Sequence, residues 1–215
     1  MTATDRGLRA LAGAIAALGW FALALQLVLI IAATRAAGGS AAGAVLNYLS
    51  FFTILTNILV AAVMTATALG RPPSASLHGA ATLSIAVVGL IYSLVLRSIW
   101  DPQGWQKVAD ALLHDVVPVL AIVFWVGFAR KGALKASDIP VWLVYPLVFF
   151  AYAMARGAVD GWYPYPFLDA GRIGYRVVLQ NAVVVTAVFA ALAAVLVGLD
   201  RGLARLGRKS PPGSA

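Results

Sequence analysis

Residues 10–33 read ALAGAIAALGWFALALQLVLIIAA, an unbroken run without one charged side chain. A helix rising 1.5 Å per residue needs about 20 such residues to cross the hydrocarbon core of a bilayer. Arg6 and Arg9 before the run, and Ala36 and Ala37 after it, imitate the flanks of a cleavable signal peptide. The run nevertheless exceeds the roughly 7–15 apolar residues of a signal core, so it reads as a retained transmembrane helix. Five further runs have the same character, at about 45–69, 77–98, 111–130, 139–158 and 175–198. Turn-forming stretches separate them, among them Gly38-Gly39-Ser40, Gly70-Arg71-Pro72-Pro73-Ser74 and Asp101-Pro102-Gln103-Gly104. No ten-residue polar–apolar alternation of a β-barrel is present. The expected fold is all-α: a polytopic membrane protein with a single six-helix transmembrane bundle over 1–200 and a basic cytoplasmic tail over 201–215, frayed at its end. Gly13, Ala17 and Gly89 are small enough to let helices approach closely.

Composition agrees. Of 215 residues, 62% are hydrophobic and 11% charged, with a mean hydropathy of +0.90. Soluble domains carry about 25% charged residues. A soluble enzyme, a disordered chain and a nucleic-acid-binding protein are therefore excluded. The net charge of +8 sits in short gaps between apolar runs rather than on one solvated face. All acidic residues are Asp, and Cys is absent, which removes disulfides and thiolate chemistry. His78 and His114 fall at opposite ends of their spans, about 30 Å apart, too far to share a metal or a haem. No phosphate-binding glycine loop, dinucleotide fingerprint or GxSxG elbow occurs. Neither a metal nor a cofactor is expected.

Lys and Arg set the orientation. Ten lie at the N-tail, the second and fourth gaps and the C-tail; six lie on the other side. The bias places both termini in the cytoplasm. The abundance of Ala, Gly and Arg fits a high-GC bacterium, so the expected location is a bacterial cytoplasmic membrane.

Polar side chains inside spans are costly and therefore informative. In the second span Asn47, Ser50, Thr53 and Asn57 are spaced three, three and four apart, one stripe of a continuous helix. In the fourth, His114 lies one turn beyond Asp110, so Asp110 can orient the imidazole, whereas Asp115 points about 100° away. Arg97, Tyr152, Arg156, Arg176, Gln180 and Asn181 lie at a similar depth on three more helices. The opposite halves of the spans read as almost purely aliphatic, which gathers polarity in the outer leaflet. Each residue alone has an ordinary reading: interhelical hydrogen bonds for the hydroxyls and amides, snorkelling for the arginines, an interfacial position for His114.

Three stretches carry a resemblance: Tyr48-Leu49-Ser50-Phe51-Phe52-Thr53 with Thr56-Asn57, Leu112-Leu113-His114 with Pro118, and Arg156-Gly157 followed by Gly161-Trp162-Tyr163-Pro164-Tyr165-Pro166-Phe167-Leu168-Asp169. Over about residues 10–200 the chain resembles the bacterial six-helix membrane proteins related to the androgen-induced protein and the androgen-dependent regulator of tissue-factor-pathway inhibitor. The animal members are threonine-type hydrolases of fatty acid esters of hydroxy fatty acids that require one Thr and one His. The resemblance puts Ser50 where they carry the Thr, and His114 where they carry the His. Thr53, one turn deeper, is the rival nucleophile.

These residues support a coherent chemistry. A hydroxyl (Ser50 or Thr53) needs a base (His114), and the base needs an orienting group (Asp110). Asn47, Asn181 or Tyr152 can donate to an oxyanion, and Arg97 or Arg156 can hold a carboxylate-bearing lipid. The Trp162–Pro166 segment is expected at headgroup level as an aromatic anchor. The leading expectation is a lipid-ester hydrolase near the outer leaflet, with the bilayer and a lipidic substrate as partners. The alternatives are a protein that binds or moves a small lipidic or anionic molecule through the same pocket, and a scaffold whose polar seam only fixes packing.

Overall fold

A computed structural model describes residues 3–209. It is all-helical, and the helices form an antiparallel bundle. Helix α1 spans Ala3–Ala36, α2 Ala41–Leu49, α3 Phe52–Ala68 and α4 Ala75–Ile91. Then come α5 (Gly104–Ala111), α6 (Val117–Phe128), α7 (Asp138–Asp160) and α8 (Ala170–Lys209). Among the described residues five stretches are long and apolar enough to cross a membrane: Asp5–Ala36, Ala75–Leu96, Gly104–Phe128, Asp138–Asp160 and Ala170–Leu206. The sixth is the pair α2 and α3, bent by 75°. The chain is thus an integral membrane protein whose helices lie in a lipid bilayer. Its span boundaries fall within several residues of those expected.

The bend overturns one expectation. The second span is not a continuous helix, so Asn47 and Ser50 do not share a stripe with Thr53 and Asn57. No Gly or Pro marks the break. Phe51 is extended (φ −93°, ψ 128°), and the Ser50 hydroxyl donates back to the Leu46 carbonyl at 2.7 Å, a local bond that competes with the helix. Freed backbone groups inside a membrane protein need partners, and distant side chains supply them. Arg156 reaches Leu46 O at 3.4 Å, while Thr53 N–H donates to the Tyr165 hydroxyl at 3.3 Å.

Two spans widen into single π-helical turns, Tyr92–Leu96 after α4 and Leu112–Val116 between α5 and α6. Such turns are rare and concentrate at functional sites. The second precedes Pro118, which has no N–H for the His114 carbonyl and whose ring crowds it; Val117 N–H bonds to Leu112 O instead. The helices come close here: a Cβ on Gly89 would lie 3.3 Å from His114 O and 3.4 Å from Pro118 Cβ. Between α1 and α3, Gly19 makes the close approach, its Cβ position being 3.3 Å from Ala61 Cβ. Ala17 faces outward rather than into a contact. Gly174 (φ 78°, ψ 150°) interrupts α8 after its first turn. The first part of the expected basic tail continues α8 as helix to Lys209; Ser210 to Ala215 lie outside the described residues.

Candidate functional site

The site lies at the bundle end formed by the α1–α2, α4–α5 and α7–α8 connections. At its centre the two π turns hold Tyr92 and His114 face to face, ring centroids 4.1 Å apart at 17°. His114 Nδ1 is 3.0 Å from the Asp110 carbonyl and 3.2 Å from its carboxylate. Both are acceptors, so Nδ1 carries a proton and Nε2 is the ring nitrogen left outside these contacts. Among the described residues Nε2 has no hydrogen-bond partner. The Tyr92 hydroxyl donates to the other Asp110 carboxylate oxygen. Tyr92, Asp110 and His114 therefore form one buried network in which each polar group supports the next.

This network faces a cavity of two lobes. A larger lobe, about 320 Å³, runs from Gln26 and Gln106 past Asp110 to His114. A smaller lobe, about 90 Å³, lies between α4, α7 and α8 and is walled by Val88, Pro146, Phe149 and Phe189. Thr53, Tyr92, Leu96, His114 and Tyr165 line both, so they form the waist where the lobes meet.

Of the two expected nucleophiles, Thr53 is at this waist and Ser50 is not. Ser50 is 0% exposed and lines neither lobe. Its hydroxyl donates to Leu46 O, receives the Tyr152 hydroxyl at 2.6 Å and receives Arg156 Nη1. Every bonding position it has is occupied. Thr53 opens the first turn of α3 and places Oγ1 3.4 Å from the Tyr165 hydroxyl. Neither hydroxyl is hydrogen-bonded to His114.

The expected supporting residues divide similarly. Arg156 donates Nη2 to Asn47 Oδ1 at 2.5 Å and Nε to Asp160 at 3.1 Å, and it stacks on Trp162 at 4.1 Å. Asn47, Tyr152 and Arg156 thus brace the α2–α3 break, away from the cavity lining. Arg97 pairs with Asp115 and lies 4.7 Å over the Tyr92 ring. Asn181 lines the small lobe, its amide donating to Phe167 O at 2.9 Å. Arg176 and Gln180 are exposed.

The 161–168 segment does more than anchor. Gly161 takes a left-handed conformation (φ 73°) to end α7, and the chain then folds back over the break. Phe51 meets Trp162 and Tyr165 edge-on at 5.6 and 5.9 Å. Tyr165 is carried to the waist, where burial pushes its phenol pKa up and keeps it a neutral hydroxyl. Tyr92, Tyr165, Gln26 and Gln106 were not singled out from sequence. Only the aromatic segment that contains Tyr165 carried a signal.

The opposite end is not purely aliphatic. Asp200, 0% exposed, accepts Leu134 N–H at 2.9 Å, Ser76 donates to Asp138 at 2.9 Å, and His78 stacks on Phe124. These bonds tie the α6–α7 connection to α4, α7 and α8. No family model, curated protein or solved structure matches the chain.

Proposed function

We propose that the protein is a membrane-embedded hydrolase of fatty-acid esters, of the six-helix family that its sequence resembles. One observation carries the reading: an oriented imidazole, with Nε2 unpartnered, shares the waist of a largely apolar cavity with the Thr53 hydroxyl. In this reading His114 takes the Thr53 proton as Oγ1 attacks the acyl carbon, then gives it to the leaving alcohol. Water, deprotonated by the same imidazole, then attacks the acyl-Thr53 ester; the fatty acid leaves and His114 returns the proton to Thr53 Oγ1. Asp110 steadies the imidazolium, and the Tyr165 hydroxyl, the donor nearest Thr53 Oγ1, faces the developing oxyanion. Because Thr53 and His114 share no hydrogen bond, one water or the substrate's own arrival closes the relay; such contacts commonly tighten only when substrate binds.

The site end faces the outer leaflet of a bacterial cytoplasmic membrane in this proposal, and the Lys- and Arg-rich end faces the cytoplasm. A second reading, a lipid-binding protein without catalysis, is favoured by the same Thr53–Tyr165 contact, which leaves His114 without a hydroxyl. Purified protein in nanodiscs decides between them. A hydrolase releases p-nitrophenol from acyl esters and takes a fluorophosphonate label on Thr53, with both lost in His114→Ala. A binder does neither.

A further inference from the structure

The two lobes open onto different surroundings. Gln26, Gln106 and Asp110 wall the large lobe, with Gln106 Nε2 donating to Gln26 Oε1 at 2.8 Å. It opens at the end of the bundle beside Ile99 and Trp100, 62% and 50% exposed. Beyond the waist, Asn181 and Thr186 are the only polar residues in the wall of the small lobe. Both spend their donors on backbone carbonyls: the Asn181 amide on Phe167 O at 2.9 Å, the Thr186 hydroxyl on Ala182 O at 2.7 Å. An apolar chain is therefore matched by the small lobe, and water and alcohols by the large one.

The small lobe also has a direction and an exit. Val87 and Val88 precede Tyr92 by five and four residues, which takes the lobe about 6–8 Å deeper than the waist along α4. A chain lying there runs from the waist towards the middle of the bilayer, as the acyl chains of the surrounding leaflet do. Phe52 closes the α3 side, packed on Phe149 and Phe189 at 5.2 and 5.9 Å. The wall between α7 and α8 is not closed: Leu147 lines the lobe and is 47% exposed on the flank of α7. Pro146 beside it has no N–H to return to the Trp142 carbonyl, so α7 lacks one rung of its ladder at this level. The lobe's volume of about 90 Å³ is below the roughly 150 Å³ of an apolar cavity that admits one benzene ring. A long chain does not fit whole, and its end has to leave past Leu147.

We infer that the acyl chain of the ester enters sideways from the bilayer, through the opening between α7 and α8 at Leu147, and keeps its far end in the lipid while the ester group reaches the waist. This rests on the hydrolase reading above. The large lobe then serves the other arm: the leaving alcohol departs, and the water that cleaves the acyl-Thr53 ester arrives, by way of the polar end of the bundle. Ester and water give acid and alcohol, so no further reactant is required.

The test uses the full-length protein in nanodiscs and the p-nitrophenyl esters of acetic and palmitic acid. Leu147→Trp puts a larger side chain into the opening, and the ratio of kcat/KM for the palmitate to that for the acetate should fall at least about tenfold. Val148→Trp adds the same bulk at the next position, 61% exposed and lining neither lobe, and should keep the parental ratio. An unchanged ratio in Leu147→Trp, or the same fall in both variants, overturns this inference and leaves the hydrolase reading intact. If neither ester is cleaved, the hydrolase reading fails, and photolabelling decides the route by itself. A C16 methyl ester with a mid-chain diazirine, photolysed on His114→Ala, should label Val88 and Phe189, which are 5% and 2% exposed. Adding Leu147→Trp should remove that label. Labelling confined to outward-facing residues, or a label on Val88 and Phe189 that survives Leu147→Trp, overturns the inference.

Discussion

The His114 imidazole lies flat on the Tyr92 ring, 4.1 Å between centroids, while the Tyr92 hydroxyl bonds to the carboxylate that holds His114 Nδ1. One tyrosine thus fixes both the plane of the imidazole and the carboxylate that holds its Nδ1. Tyr92→Phe keeps the stack and removes the bond to Asp110. A hydrogen bond to a charged group is worth about 1.5 kcal/mol or more, so the melting temperature should fall by a few degrees and kcat/KM on a p-nitrophenyl ester, per folded molecule, by about tenfold. Tyr92→Leu also removes the stack and should lower both. An unchanged rate in Tyr92→Phe would show that the network does not serve the base.

Ser50 and Thr53 separate structure from chemistry. Ser50→Ala strips a partner from Arg156, Tyr152 and Leu46 O in a fully buried place. It should destabilise the fold by about 1–3 kcal/mol while leaving most of the ester hydrolysis per folded molecule. Thr53→Ala should do the reverse, losing at least about 100-fold in rate with a nearly normal melt, and Thr53→Ser should recover part of it. Rates normalised to folded protein by thermal shift check both, and a dead Ser50→Ala beside an active Thr53→Ala would reverse the assignment.

The contrast shows where the sequence was legible. Hydropathy locates six spans because the charged gaps are short and abrupt, and helix spacing pairs Asp110 with His114 because both are on one helix, four residues apart. The α2–α3 break is invisible to such reasoning. Its cause is not a Gly or Pro but partners more than a hundred residues away, Tyr152 and Arg156 on Ser50 and Tyr165 on Thr53. Assuming a straight helix put Ser50 beside Thr53 on one stripe and made both hydroxyls look placed for one pocket, whereas only Thr53 lines the waist. Tyr92 and Gln26 were illegible for a related reason: an aromatic and an amide in apolar runs reveal their roles only through what packs against them.

Gly157 tests whether the aromatic segment matters to the waist. A Cβ there would lie 2.0 Å from the Tyr163 ring, so Gly157→Ala must displace Tyr163 and the segment that carries Tyr165. Hydrolysis should fall by about tenfold or more although Gly157 touches neither lobe, and Tyr163→Ala should restore part of it in the double variant by making room. A double variant no better than the single one would mean that the damage lies in α7 itself.

Pro118 sits one turn past His114 and makes the helix between them abnormal. It offers no N–H to the His114 carbonyl, and the chain bonds Val117 N–H to Leu112 O, five residues back. The widened turn holds one residue more than an α-helical turn would. Pro118→Ala supplies the missing donor and lets the turn relax to regular α-helix. One residue of register is about 100° of rotation, enough to swing His114 and Asp110 off the waist or to move α6 out of its contact with Gly89. The expected result is a melting temperature equal to or above that of the parent, because an interior Pro is among the costliest residues in a helix, with hydrolysis reduced at least about tenfold. Fluorophosphonate labelling of Thr53 should fall in parallel, because the base no longer reaches it. A variant that is both more stable and fully active would show that His114 keeps its place without the π turn, and that Pro118 serves only the packing against Gly89.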